Sequence, residues 1–206
     1  MSTVIREIFL VRHGETDFNK AGIVQGRGVN SSINENGQLQ AKKFFEHFKH
    51  IEFNAVLTST LQRTQQTMQP FVDAGYQLNI HEELDEINWG IHEGKITTYE
   101  TRNDYHEIIS KWKAGNVDLS IEQGESPIKL QQRQLKFIEE TLPKYEGKIL
   151  ICSHGRAIRS MLCTMLQKPL SEMDTFPHNN LSLYKLNQKN DGFELDWFNY
   201  SDHLSE

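Results

Sequence analysis

The sequence predicts an α/β fold, a three-layer α/β/α arrangement with a mostly parallel central sheet, and three observations carry that reading. Short apolar runs alternate along the chain with segments of helical period. No stretch rich in Pro, Gly or Ser divides the 206 residues into two cores, so 1–206 reads as a single domain. Three separate runs end in His13, Ser59 and His154, which gathers polar groups at one sheet edge, where ligands bind in open parallel sheets.

Ile8 to Val11 is a buried strand that stops abruptly at Arg12, His13, Gly14 and Glu15. A loop, 16–33, follows. Asn34 caps a helix whose Ala41, Phe44, Phe45 and Phe48 recur at helical spacing and face a core. Ala55 to Ser59 is a second strand, Leu61 to Val72 a second helix, and Gln77 to His81 a third strand of alternating polarity. Between Gly94 and Gly124 the pattern turns polar around one amphipathic helix with Tyr105, Ile108, Ile109 and Trp112 on a face, which predicts a helical insertion at about 95–125 over the sheet edge. Ser126 as cap and Pro127 at the first helical position open a further helix, with Ile128, Leu135, Ile138 and Leu142 on its buried side. Lys148 to Ser153 is a fourth strand, and Ala157 to Leu166 forms the helix leaving it, stopped by Pro169. Leu181 to Leu186 and Phe193 to Asn199 form a hairpin about Asn190, Asp191 and Gly192.

Composition excludes some partners. With 28 acidic against 22 basic residues the net charge is -6, which gives no broad positive field for a nucleic-acid backbone. No basic segment leads into a long apolar one, and no run approaches the roughly 20 apolar residues of a membrane span, so no membrane partner is expected. Cys152 and Cys163 lack metal spacing and read as small buried hydrophobes in a reducing compartment, with the cytoplasm as the expected location. His47 and His50 sit together on a charged helix and read as solvated surface, so no metal site is expected there.

The polar groups at the sheet edge suit phosphoryl transfer, which needs an in-line nucleophile, cationic donors for the equatorial oxygens and a proton for the leaving oxygen. Arg12 and Arg63 offer planar forks for phosphoryl oxygens. His13, beside the like charge of Arg12, should be neutral, with a ring nitrogen free to attack phosphorus. His154 is a second donor, and the helix starting near Ala157 points its positive end toward it. Glu86 would protonate the leaving oxygen and then activate the water that resolves the phosphohistidine. Taken singly, Glu86 reads as a solvated loop residue, Arg63 as a charge on an exposed helix face and His154 as a structural histidine; their combination points to the chemistry.

LVRHGET at Leu10–Thr16 resembles the signature of the histidine phosphatase superfamily, in its branch containing phosphoglycerate mutases. TSTLQRTQQT at Thr58–Thr67 resembles that family's second arginine motif, LDEINWGIHEG at Leu84–Gly94 its acid motif and ICSHGRAIR at Ile151–Arg159 its second histidine motif, in order over nearly the whole chain. The resemblance implies that His13 is phosphorylated, that Arg12, Arg63 and His154 hold the phosphoryl group, and that Glu86 is the proton donor. It further implies an amide contact from Asn19 to phosphate, a substrate loop at Gln25 and Gly26, and close backbone approach at Gly155. Asn180 and Ser182 resemble its closing strand motif and receive no catalytic role. Gly155 stands where the acid phosphatase branch has its aspartate, which leaves Glu86 as the acid. No metal or other cofactor is implied.

The expected function is a phosphomonoesterase acting on a small phosphorylated metabolite through phosphohistidine at His13, with the helical insertion over the active site. A cofactor-dependent phosphoglycerate mutase is the alternative, and a phosphate-binding protein without turnover ranks below both. Mutases resembling this sequence carry a basic insertion and a C-terminal tail, whereas about a quarter of this chain follows His154, which favours the phosphatase. Arg102, Lys111 and Lys113, with Tyr99, Tyr105 and Trp112, are either surface charge or contacts to the rest of a substrate. The oligomeric state is not legible.

Overall fold

A computed structural model describes residues 4–205; residues 1–3 and 206, which the single-domain reading includes, lie outside the described residues. The first apolar run is β1, Arg6–Arg12. Its Ile8 and Leu10 enter one apolar cluster and Phe9 and Val11 another, the alternation of a strand covered on both faces.

The sheet has six strands in the order β3-β2-β4-β1-β5-β6, with β2 Ala55–Thr58, β3 Leu78–Ile80, β4 Gly147–Ser153, β5 Leu183–Lys189 and β6 Gly192–Tyr200. β3, β2, β4 and β1 are parallel, and the β5–β6 hairpin adds antiparallel pairs beyond β1. Register builds the site: Arg12 lies opposite Ser153 and Thr58 opposite Cys152, so the next residues, His13, His154 and Ser59, emerge side by side.

One face of the sheet is covered by α2, Glu35–Phe48, α3, Gln62–Thr67, and α4, Gln69–Asp73, which bury Phe44, Phe48, Met68 and Phe71. Each buried ring contributes on the order of 2 kcal/mol. The Asn34 cap is as expected, its side chain accepting from Gly37 N at 2.9 Å. The other face is covered by α5, Tyr99–Lys113, α6, Pro127–Lys136, and α7, Gly155–Met165, through residues such as Trp112, Leu130 and Met161. Among the described residues no helix is long and apolar enough to cross a membrane.

Four local expectations change. The loop 16–33 contains α1, Asp17–Ala21, opened by a Thr16–Asn19 capping box and closed by Gly22 at φ 66°. The helix expected over 61–72 breaks at Met68, because Pro70 cannot donate back along a continuous helix. In α6 Ile128 is 39% exposed while Leu130 and Gln134, with Phe137 just past its end, are buried, and the Ser126 side chain makes no capping bond. That stripe is masked in sequence by Gln134, which is buried because its amide donates to Ala157 O at 2.8 Å. His47 is half-buried and shares a hydrogen bond with the Tyr200 hydroxyl at 3.0 Å, whereas His50 is exposed.

Candidate active site

His13 is the first residue past β1 and is 3% exposed. Its Nδ1 lies 2.8 Å from the Gly14 carbonyl, which can only accept, so Nδ1 carries the proton and Nε2 keeps its lone pair. Burial first, then the charges of Arg63 and Arg12, hold the ring well below the usual histidine range, so it is neutral at pH 7. The like charge noted in the sequence therefore acts in the expected direction but is secondary to burial. Asn180, assigned no role from sequence, donates to the His13 carbonyl at 2.9 Å and to Asn19 Oδ1 at 3.3 Å. Asn19 Oδ1 also accepts from Thr16 N at 3.2 Å, which leaves the Asn19 amide as its donor.

Arg12 and His13 both line a cleft of about 400 Å³. One Nη of Arg12 donates to His178 Nδ1 at 3.1 Å, and its buried Nε has no hydrogen-bond partner. Burial lowers the Arg12 guanidinium to about 10, so it stays cationic at pH 7. Glu86, Asn19, Gln25 and Gly155 line the same cleft.

His154 sits beside His13 with ring centroids 5.2 Å apart, yet both of its nitrogens are engaged. Arg63 Nε donates to His154 Nδ1 at 3.1 Å, so His154 Nε2 carries the proton and donates to Ser59 Oγ at 2.8 Å. Burial and then Arg63 keep this ring neutral too. Arg63 is fully buried, against the surface reading of its helix, and donates to Val29 O at 2.6 Å and to Gly26 O at 3.2 Å. Neither Arg63 nor His154 is among the residues lining the cleft. Gly26 also lies off the cleft wall, packed against Glu93 and Ile87 where a side chain has no room.

Glu86 is 7% exposed, held by the N-terminus of α7. Its Oε1 accepts from Ile87 N and Ala157 N, both at 2.9 Å, and its Oε2 from Arg156 N at 3.1 Å. The positive end of α7, expected to point toward His154, is instead taken up by the Glu86 carboxyl group. Arg133, unremarked in the sequence, fixes the acid loop from behind through Glu86 O at 2.9 Å, Glu83 O at 2.8 Å and Glu125 Oε1 at 2.9 Å.

The insertion supplies Arg102 and Tyr105 to the cleft wall, while Tyr99 is 78% exposed and Lys111 pairs with Glu107 on the surface. Arg156 and Arg159 of α7 also line it, sharing the single carboxylate of Asp174. Arg156 is further held by the Tyr105 hydroxyl at 3.0 Å and stacks over Trp89 and Trp112. His178 lines the cleft and was not singled out in the sequence. Gly155 shows why it fits: a Cβ there would lie 2.6 Å from His178 Cε1, so the close approach permitted by this glycine is that of the His178 ring.

Comparison with known proteins shows the family. The family model described as histidine phosphatase superfamily (branch 1) matches residues 8–201. The chain is 31% identical over 189 residues to the protein named "Probable phosphoglycerate mutase GpmB" of Serratia proteamaculans, covering 89% of this chain and 85% of that one. It is 26% identical over 202 residues to phosphoserine phosphatase 1 of Hydrogenobacter thermophilus, covering 97% and 95%. Among solved structures, YhfR of Bacillus stearothermophilus superposes with a TM-score of 0.82 at 25% identity, covering 97% of this chain and 99% of that one.

Proposed function

The chain belongs to the histidine phosphatase superfamily, branch 1, and from that premise we propose that it hydrolyses small phosphomonoesters through a phosphohistidine at His13. The observation that carries the reading is the His13–Gly14 hydrogen bond, which leaves a neutral Nε2 with its lone pair in a cleft shared with Arg12 and Glu86. In the first step Nε2 attacks phosphorus, the phosphorus–oxygen ester bond breaks, and Glu86 gives its proton to the departing alkoxide. In the second, Glu86 takes a proton from water, the oxygen attacks phosphorus, and the phosphorus–nitrogen bond breaks to release phosphate and neutral His13. Arg12, with the amide of Asn19, carries the charge on the phosphoryl oxygens. Arg63 acts on that group through the N–H groups its backbone partners leave over, and His154 through the position it imposes on Arg63 and His13. Residues 1–206 act as one domain in this reading, located in the cytoplasm and working without metal.

Phosphoserine phosphatase 1 of Hydrogenobacter thermophilus supports hydrolysis; the relative from Serratia proteamaculans, named as a mutase, supports the second reading, phosphoglycerate mutase. The experiment is phosphate release and isomer formation from a panel of phosphomonoesters, including phosphoglycerate with trace bisphosphoglycerate, with His13→Ala as control. Release without isomerisation, abolished in His13→Ala, is expected. Isomerisation with little release would replace hydrolysis by the mutase reading, and undiminished release in His13→Ala would remove the phosphohistidine.

A further inference from the structure

Arg12 is the last residue of β1 and its guanidinium borders the cleft beside His13. Arginine side chains lose much rotamer freedom when fixed, so one that must receive phosphoryl oxygens in a fixed plane needs something to hold it. A carboxylate would hold it but would cancel the charge that the phosphoryl group requires. His178 supplies a different kind of acceptor: its Nδ1 takes a proton donor from Arg12 at 3.1 Å. The ring stands among Arg12, Arg159 and Arg156, and burial together with these cations holds it down to about 2, so it is uncharged at any working pH. Its place is built into the fold, because the backbone of Gly155, next to His154, leaves the space that the ring fills.

We propose that His178 is a positioning residue of the phosphoryl site, orienting the Arg12 guanidinium through Nδ1 as a neutral acceptor that leaves the cation's full charge for the phosphoryl group. The inference rests on the phosphatase reading for its kinetic consequence and on geometry alone for its tautomer. Nδ1 accepts, so Nε2 bears the hydrogen.

The test has two parts. In the wild-type protein, imidazole ¹⁵N shifts of His178 read the tautomer without any turnover: an unprotonated Nδ1 is expected, and a protonated Nδ1 would overturn the proposal whether or not the chain is a phosphatase. On a phosphomonoester that the wild type hydrolyses, His178→Leu should lower kcat/KM at least about 10-fold, through slower formation of phosphohistidine measured by rapid quench. His178→Asn, whose Oδ1 stands near the position of Nδ1, should recover most of that loss. Added to Arg12→Ala, His178→Leu should cost less than about 3-fold more, since the group it orients is gone. Equal losses in the Leu and Asn variants, or losses that multiply in the double variant, would reduce His178 to packing and refute the proposal. An inactive wild type would instead sink the phosphatase reading and leave the tautomer measurement standing.

Discussion

Glu86→Gln separates the acid's chemistry from its structural role, because the two oxygens are held differently. Oε1 accepts two backbone N–H bonds, from Ile87 and Ala157, which fill both of its lone-pair directions. Oε2 accepts one, from Arg156, and so has the free position at which a proton can sit. In the glutamine variant the carbonyl replaces Oε1 with little change, and the amide nitrogen is left facing the Arg156 N–H, donor against donor. Losing that bond and leaving a buried N–H unmet costs about 2 kcal/mol, or roughly 4–8 °C in Tm for a chain of this size. Activity should fall by a larger and substrate-dependent factor. For alkyl phosphates, whose leaving alkoxide needs the proton, the loss should be about 10²–10⁴-fold. For aryl phosphates with electron-withdrawing rings it should be within about 10-fold. The assay is kcat/KM over a series of phosphomonoesters of graded leaving-group basicity, beside thermal unfolding of the same variant. A uniform loss across the series would refute the proton-donor role and make Glu86 a positioning group, and unchanged turnover of alkyl phosphates would remove it from the reaction.

Other perturbations act on the residues around it. Arg63→Ala strands the Val29 carbonyl, removes one of the two donors to Gly26 O and frees His154 Nδ1, so unfolding in urea should show a loss of at least about 2 kcal/mol; its kcat/KM should drop by a factor equivalent to at least about 2 kcal/mol, and undiminished activity would take Arg63 out of the site. Gly155→Ala drives a methyl group into the His178 ring, with about 1–3 kcal/mol of instability and slower phosphorylation of His13 expected; a fully active, fully stable variant would contradict the packing seen here. Acid should unfold the protein steeply. His13, His154 and His178 all have folded values depressed below 6.5, so as pH falls through that value the unfolded chain takes up protons that the folded chain refuses. Each ring then removes up to about 1.4 kcal/mol per pH unit, and urea unfolding at pH 7, 6 and 5 should show stability falling with pH; a flat profile would mean that these rings are not held neutral.

The parallel part of the sheet was legible because β1 and β4 are buried on both faces and read as continuous apolar runs. Where reading failed, a polar side chain satisfied by a backbone partner broke the pattern. Gln134 interrupts the buried stripe of α6, and its bond to Ala157 O is invisible to periodicity. The α1 turn was missed although Thr16, Asn19 and Gly22 stand at its cap positions, a signal that five helical residues without a buried side chain could not reinforce. Arg133, Asn180 and His178 come from segments distant in sequence from the groups they contact, and their partners are largely backbone carbonyls or a single side-chain nitrogen. Composition carries no trace of such pairings.

The motif residues divide in the structure in a way that motif membership does not express. Arg12, His13 and Glu86 reach the cleft, whereas Arg63 and His154 stand behind it with donors committed to Val29, Gly26, Ser59 and each other. The placement has a consequence for the nucleophile. Arg12 in the cleft is compensated by the phosphoryl group once substrate binds, but Arg63, with its donors turned to the protein, keeps acting on His13, and it is the largest charge contribution lowering that ring. Burial, with Arg63 as the largest charge behind it, keeps His13 neutral and ready to attack before substrate arrives, while Arg12 on the cleft wall is left to meet the charge that substrate brings.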